Sequence, residues 1–233
     1  MEIGRILYDL SMLTLPVIVA ITFHEAAHGF VAWKLGDDTA WLAGRVSFNP
    51  IRHVDPVGTI ILPTLMYFTT PFLFGWAKPV PVNFARLGNP RRDMVWVALA
   101  GPGINIALAL LSAFLLTLIG GLPQPAYSWA ARTLLTSVEI NVVLAVFNMI
   151  PLPPLDGGRV AVGLLPLPLA VRLAGMERAG MALLMLAFLI LPAIGSQIGV
   201  ELDVFSTLLS PVVSGVANGI CGLFGIHTRF GGF

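Results

Sequence analysis

Charge is what this sequence has least of: 11% of its 233 residues are Asp, Glu, Lys or Arg, while 57% are hydrophobic. A soluble domain carries roughly a quarter charged residues, so water is not the main solvent of this chain. The net charge of +1 and the lack of any basic cluster interleaved with aromatics exclude a nucleic-acid groove. Cysteine is nearly absent too. Cys221 stands alone, which excludes an internal disulfide, a Cys-rich zinc module and a thiol pair. Any metal must be held by His, Asp or Glu. No small-residue cleavage site follows the first apolar segment, and its run to Trp33 exceeds a signal-peptide core, so it is expected to remain as a mature span.

What the chain has in quantity is long apolar runs, several reaching the roughly 18–20 residues that a helix needs to cross a bilayer. The expected fold is all-α and polytopic, a single membrane-embedded domain over 1–233. Its transmembrane helices, about five, are expected at 6–33, 95–119, 134–151, 179–194 and 204–224. Each run is apolar all round, as suits helices surrounded by lipid and by one another. Trp33, Trp41, Trp76, Trp96 and Trp129 mostly flank these runs, as an interfacial belt does.

Basic residues give a direction. Lys34, Arg45, Arg52, Lys78, Arg86, Arg91 and Arg92 all fall between the first two spans, whereas 120–131 carries no charge. The positive-inside rule then places the long connection in the cytoplasm. Arg159, Arg172 and Arg178 put the connection after the third span on the same side, and Glu201 with Asp203 fits the outer face. A multi-pass protein of the cell membrane follows, with its N-terminus outside and its C-terminus, near Arg229, inside. The segment from Val57 to Phe74 is apolar but holds Pro63 and Pro71 and is rich in Thr and β-branched residues. It is expected to be a re-entrant, strand-like hairpin, within about 44–75, because a full crossing would put the chain's two polar motifs at opposite faces. Non-helical backbone at that depth must pack on protein or line a water cavity, so the hairpin belongs beside the active site.

The first polar motif is Thr22-Phe23-His24-Glu25-Ala26-Ala27-His28-Gly29. Histidines four apart share one helix face, with Cβ atoms roughly 5–6 Å apart, so their rings can converge on one metal. Glu25, beside that face, is placed as general base toward a water activated by the metal. The competing reading is that these groups only pair with neighbouring helices, although an ionisable residue at mid-bilayer costs about 2.5–3.5 kcal/mol on insertion scales. A catalytic zinc usually has three protein ligands and an open position. The best third candidate is Asp156, in Asn148-Met149-Ile150-Pro151-Leu152-Pro153-Pro154-Leu155-Asp156-Gly157-Gly158. Three prolines there cannot continue a regular helix, and the two glycines permit turns that other residues resist. An unwound segment would let Asp156 reach the metal and offer backbone groups to an extended substrate. Asp156 as a helix-terminus residue near headgroups, and Asn148 as an interhelical hydrogen-bonding group, are the plainer alternatives.

With both motifs present, the chain resembles the site-2 protease family of intramembrane zinc metalloproteases. The likeness runs through the His24-Glu25-His28 span, the Gly101-Pro102-Gly103-Ile104-Asn105 stretch and the Asn148–Gly158 segment. Gly44-Arg45-Val46-Ser47-Phe48-Asn49-Pro50, followed by His53 and Asp55, resembles the small bacterial and archaeal members. The resemblance implies one catalytic Zn²⁺ on His24, His28 and Asp156, with Glu25 as base. It also implies cleavage of single-span membrane proteins or signal-peptide-like segments after partial unwinding, at a site towards the cytoplasmic side. Asn148 resembles a substrate-contacting position, and Asn105 a packing or substrate-side one. No stretch is polar enough for a PDZ or CBS regulatory domain. A metal-binding transporter and an inactive scaffold are the alternative functions; a carrier has no need for Glu25. His and carboxylate ligands also suit divalent ions other than zinc. Oligomeric state and substrate identity are not encoded legibly. His53 with Asp55 could form an auxiliary polar pair, but His53 reads rather as a headgroup-level histidine in a basic loop; His227 reads as a tail residue, and Met176, Met181 and Met185 as packing.

Overall fold

The computed structural model describes residues 2–61, 77–200, 202–228 and 230, and among the described residues there is no strand. The chain begins with α1 (Glu2–Lys34), α2 (Pro90–Leu118) and α3 (Ala126–Asn148). Two short helices follow, α4 (Asp156–Leu164) and α5 (Leu167–Ala174). The rods α6 (Glu177–Ile198) and α7 (Phe205–Leu223) end the fold. Five of these, α1, α2, α3, α6 and α7, are long and apolar enough to cross a membrane. The molecule is a multi-pass membrane protein.

Local chemistry explains the boundaries. At the start of α2, Asn89 accepts a hydrogen bond from the Arg92 backbone and Asp93 accepts one back from the Asn89 N–H at 2.7 Å, while Pro90 fills a position whose N–H would be unpaired anyway. Helix α3 stops at Asn148 because Pro151, Pro153 and Pro154 cannot donate the next backbone bonds. It starts at Ala126, eight residues before the expected 134. Arg132 and a run of hydroxyls dilute the apolar signal there, yet Trp129 anchors the first turn by donating to the Ser11 hydroxyl on α1 at 2.9 Å. Both α6 and α7 contain a π-helical turn, at Leu186–Ile190 and Phe205–Leu209.

Helix α2 is the hub, packed on α1, α3 and α4. Small side chains set the distances. Ala109 and Ala113 of α2 meet Val138 and Val142 of α3 and Val213, Ala217, Ile220 and Cys221 of α7 in one buried cluster. Close backbone approach through small residues is how helices gain contact where lipid offers no hydrophobic driving force.

Only the start of the expected re-entrant hairpin falls within the described residues. Pro56–Ile61 forms a π-helical turn instead of a strand, and 62–76 lies outside the described residues, as does Trp76. His53 is buried, its Nε2 donates to the Ser47 carbonyl at 2.8 Å, and its own carbonyl accepts from the Lys78 N–H at 2.9 Å. Buried Arg45 donates to the Lys78 carbonyl at 2.6 Å. The connection after α1 is thereby knitted back to residues 78–80.

Asp37, just past α1, makes the same kind of tie. Its fully buried carboxylate accepts from the Thr39 hydroxyl and backbone and from the Asn83 N–H at 2.6 Å. Burial alone would push this carboxyl up, but those hydrogen bonds and the nearby Arg86 outweigh it and hold it below its ordinary value. Its stabilisation is then fully present above the unfolded value of about 3.9 and is lost as pH falls through the lower folded value. Asp37→Asn should cost about 1.5–3 kcal/mol at neutral pH and flatten the fall in melting temperature below about pH 4. Thermal unfolding in detergent reads both; a variant melting like wild type at every pH would show the tie to be idle.

Candidate metal centre

His24 and His28 lie one turn apart on the face of α1 that meets α2. What lets them approach is Gly101. A Cβ there would stand 2.5 Å from His24 Nε2 and closer still to His28 Nε2, so any side chain would occupy the space the two rings point into. Asp156 arrives from the opposite direction, in the first turn of α4. The three ligand atoms converge: His24 Nε2 and His28 Nε2 are 3.0 Å apart, and Asp156 Oδ2 lies 3.2 and 3.3 Å from them. All three residues are buried.

The other side of each ring fixes its protonation. His24 Nδ1 meets the Asn105 Oδ1 at 2.6 Å and His28 Nδ1 meets the Val97 carbonyl at 2.7 Å. Both partners are acceptors, so each Nδ1 carries the proton and each Nε2 presents a lone pair. Two nitrogen lone pairs and a carboxylate oxygen therefore face one another in an apolar surround. Asp156 Oδ2 has no hydrogen-bond partner. A tetrahedral zinc with bonds of about 2.0–2.1 Å sets its ligands about 3.3 Å apart, which matches the observed triangle. The residues present fit a zinc ion, and their mutual repulsion calls for a cation.

Glu25 stays outside this triangle. Its Oε2 accepts the Val80 N–H at 2.8 Å, so the knitted 78–80 segment positions the carboxylate. Asn105, expected at a packing or substrate-side position, is packed: it is 0% exposed, binds His24 through Oδ1, and donates to Asn141 Oδ1 at 2.8 Å and the Ala20 carbonyl at 3.3 Å. Every polar atom of that side chain is engaged inside the protein. Asn141 is the residue that sequence reasoning missed. It too is 0% exposed, donates to Ser137, and so extends the chain of hydrogen bonds from His24 into α3. A lone Asn in the middle of an apolar span was the available signal. Asn148 ends α3, half-buried, its amide donating to the Leu144 carbonyl at 3.0 Å.

Residues between Asn148 and Asp156 are unwound, as the prolines require. The glycines after them act differently from expectation. Neither has a positive φ; both are helical, and what they permit is close approach. A Cβ on Gly157 would strike the Met149 carbonyl and sit 2.5 Å from the Ile150 oxygen, and one on Gly158 would sit 2.5 Å from the Leu152 carbonyl carbon. The unwound segment folds down on α4 and holds Asp156 against the histidines.

Two substitutions separate steric from polar support. Gly101→Ala should abolish metal retention by pushing the rings apart. Asn105→Ala and Asn141→Ala should weaken metal affinity about 10–100-fold, as removal of an orienting partner does. Metal content after dialysis against graded chelator reads each; unchanged retention in Gly101→Ala would show the rings to be placed by something else.

No family model matches the chain, and no solved structure does. Curated relatives do. YwhC of Bacillus subtilis, named a "Putative zinc metalloprotease", is 36% identical over 220 residues, which is 88% of this chain and 97% of the relative. Rip2 of Mycobacterium tuberculosis, under the same description, is 32% identical over 143 residues, 60% of this chain and 52% of Rip2. MJ0611 of Methanocaldococcus jannaschii, again so described, is 33% identical over 141 residues, 59% of this chain and 62% of its own. With a triangle of His24, His28 and Asp156 at its centre and a relative aligned over nearly its whole length, this chain belongs to the site-2 protease family of zinc metalloproteases.

Proposed function

We propose that this protein is an intramembrane zinc metalloprotease, hydrolysing peptide bonds in or near transmembrane segments of other membrane proteins. The observation that carries the reading is the three-ligand triangle with a carboxylate beside it, set inside a bundle of membrane-length helices. His28 precedes the end of α1 at Lys34 by six residues and His24 by ten, about 9 and 15 Å of helix rise. That depth supports chemistry below the membrane surface, and the arginine-rich connections on that side favour a cytoplasmic-facing site.

His24, His28 and Asp156 would hold the metal. Bound there, zinc supplies Lewis acidity, lowering the pKa of a coordinated water and polarising a carbonyl. Glu25 takes the proton of the attacking water on the oxygen that the Val80 N–H leaves open, and returns it to the leaving amine. Asn105 and Val97 keep both imidazoles in the tautomer that presents Nε2. The unwound 149–155 segment and the Asn148 Oδ1 offer polar contacts to a substrate in extended form, since a helix hides its carbonyls in its own hydrogen bonds.

The test is cleavage of a panel of single-span helices by wild type, Glu25→Gln and Asp156→Asn in detergent, with metal content measured in parallel. Glu25→Gln should retain its metal and lose about 10²–10⁴-fold in rate. Asp156→Asn should lose both. Equal cleavage by wild type and Glu25→Gln removes the base from the mechanism, and metal uptake into liposomes by Glu25→Gln without proteolysis in either protein would make this a carrier.

A further inference from the structure

A second site lies away from the metal, where α2 enters the membrane. A cavity of about 410 Å³ opens there between the first turns of α2 and the end of α4, lined by Asn89, Arg91, Arg92, Val95, Trp96 and Leu164. The wall exists because Gly163 lets the two helices touch: a Cβ there would strike the Val95 side chain and sit 3.0 Å from the Arg91 carbonyl.

Its two ends differ chemically. At one end Arg91 and Arg92 are exposed, and neither guanidinium pairs with a carboxylate among the described residues. The neighbouring acid does not neutralise them, because Asp93 is buried and turned back onto the Asn89 N–H. Arg159 of α4 stands over the Phe84 ring, 5.6 Å away, and does not line the cavity. At the other end Trp96 is 54% exposed and Leu164 72% exposed, with Val95 between them. Next in the chain, α5 presents Leu167, Leu169 and Val171 outward, all exposed, as a short helix lying on a membrane surface does. Two unpaired cations above an apolar wall, at the level where a span begins, complement a molecule that carries a phosphate at the head of hydrocarbon chains.

We propose that this cavity binds the headgroup of an anionic phospholipid, its phosphate held by Arg91 and Arg92 and the start of its chains against Val95, Trp96 and Leu164. A zwitterionic lipid brings its own cation to the same place and is disfavoured. The lipid would bridge α2, which carries Gly101 and Asn105, to α4, which carries Asp156, so its site spans the two helices that meet at the metal.

The experiment is native mass spectrometry of the delipidated full-length protein in detergent, with dioleoyl phosphatidylglycerol or dioleoyl phosphatidylcholine added back. Wild type should retain the glycerol lipid over the choline lipid. Juxtamembrane arginines each contribute about fivefold to anionic-lipid affinity, so R91Q/R92Q should lose roughly 30-fold. R91K/R92K should recover most of it, and R172Q/R178Q, which removes equal charge elsewhere, should bind as wild type. Equal retention of the two lipids by wild type overturns the proposal even if R91Q/R92Q does not fold. So does equal loss in R172Q/R178Q, which would mean general charge attraction, or full displacement of the glycerol lipid by millimolar inorganic phosphate, which would make free phosphate the ligand. Because the readout is lipid retention, it stands apart from proteolysis.

Discussion

Three acceptor atoms from two distant parts of the chain are held within 3.3 Å of one another in an apolar interior. That arrangement is unfavourable in itself. Lone pairs without solvent repel, and an uncompensated buried carboxylate costs several kcal/mol. A cation between the three would relieve it, provided the far side of each ligand is already satisfied. Asn105 and the Val97 carbonyl supply that satisfaction for the imidazoles. Asn105 is in turn held by Asn141 and Ala20, and Asn141 by Ser137. Polar groups this deep are tolerated because none of the chain's links is left hanging.

Glycine is what brings the parts close enough. Gly101 clears room for both rings, while Gly157, Gly158 and Gly180 accept the backbone of the unwound segment at distances no Cβ allows. That segment must also settle its own peptide groups, since lipid offers them nothing. Short turns do so, with Leu152 N–H on the Ile150 carbonyl at 2.7 Å and Leu155 N–H on the Leu152 carbonyl at 3.0 Å. The prolines remove donors that would otherwise be stranded. Proline and glycine therefore have complementary tasks here: one interrupts the helix, the other lets the interruption pack.

The spans and the pairing of His24 with His28 were legible because each leaves a one-dimensional trace. Apolar runs mark α1, α2, α3, α6 and α7, and the four-residue interval of His24 and His28 is a helix period. Asp156 was reachable by a topological requirement, that two polar motifs share one face. What stayed hidden depends on contact between elements. Asn141 looks like any single polar residue in a span until α2 lies beside it and Asn105 reaches across. Gly101 reads as a flexible residue, and only the opposed histidines reveal a steric role. Gly157 and Gly158 read as turn formers for the same reason, although their backbone is helical. The early start of α3 was obscured because Arg132 lowers the local hydropathy, while a long side chain at a helix end keeps its charge out of the hydrocarbon. Helices α4 and α5 are too short for any apolar-run criterion.

The two halves of the bundle are held by different forces, and this bears on how such a site works. One and two turns beyond Asn105, Ala109 and Ala113 join α3 and α7 in a cluster with no polar atom aimed at the metal site. That cluster ties α2, α3 and α7 together by contact alone. Helix α4 has no part in it. Nine residues long, it is fastened by glycine contacts to the unwound segment and to α2, and by Asp156 to the histidines. Asp156 thus sits on a short helix outside that cluster, while both histidines sit on α1, a long helix packed on α2 and α3. The orienting hydrogen bonds of both histidines run to Asn105 and Val97 of α2, and none of them involves α4. On the other side of Asp156 stand Asn148 and the unwound 149–155 backbone.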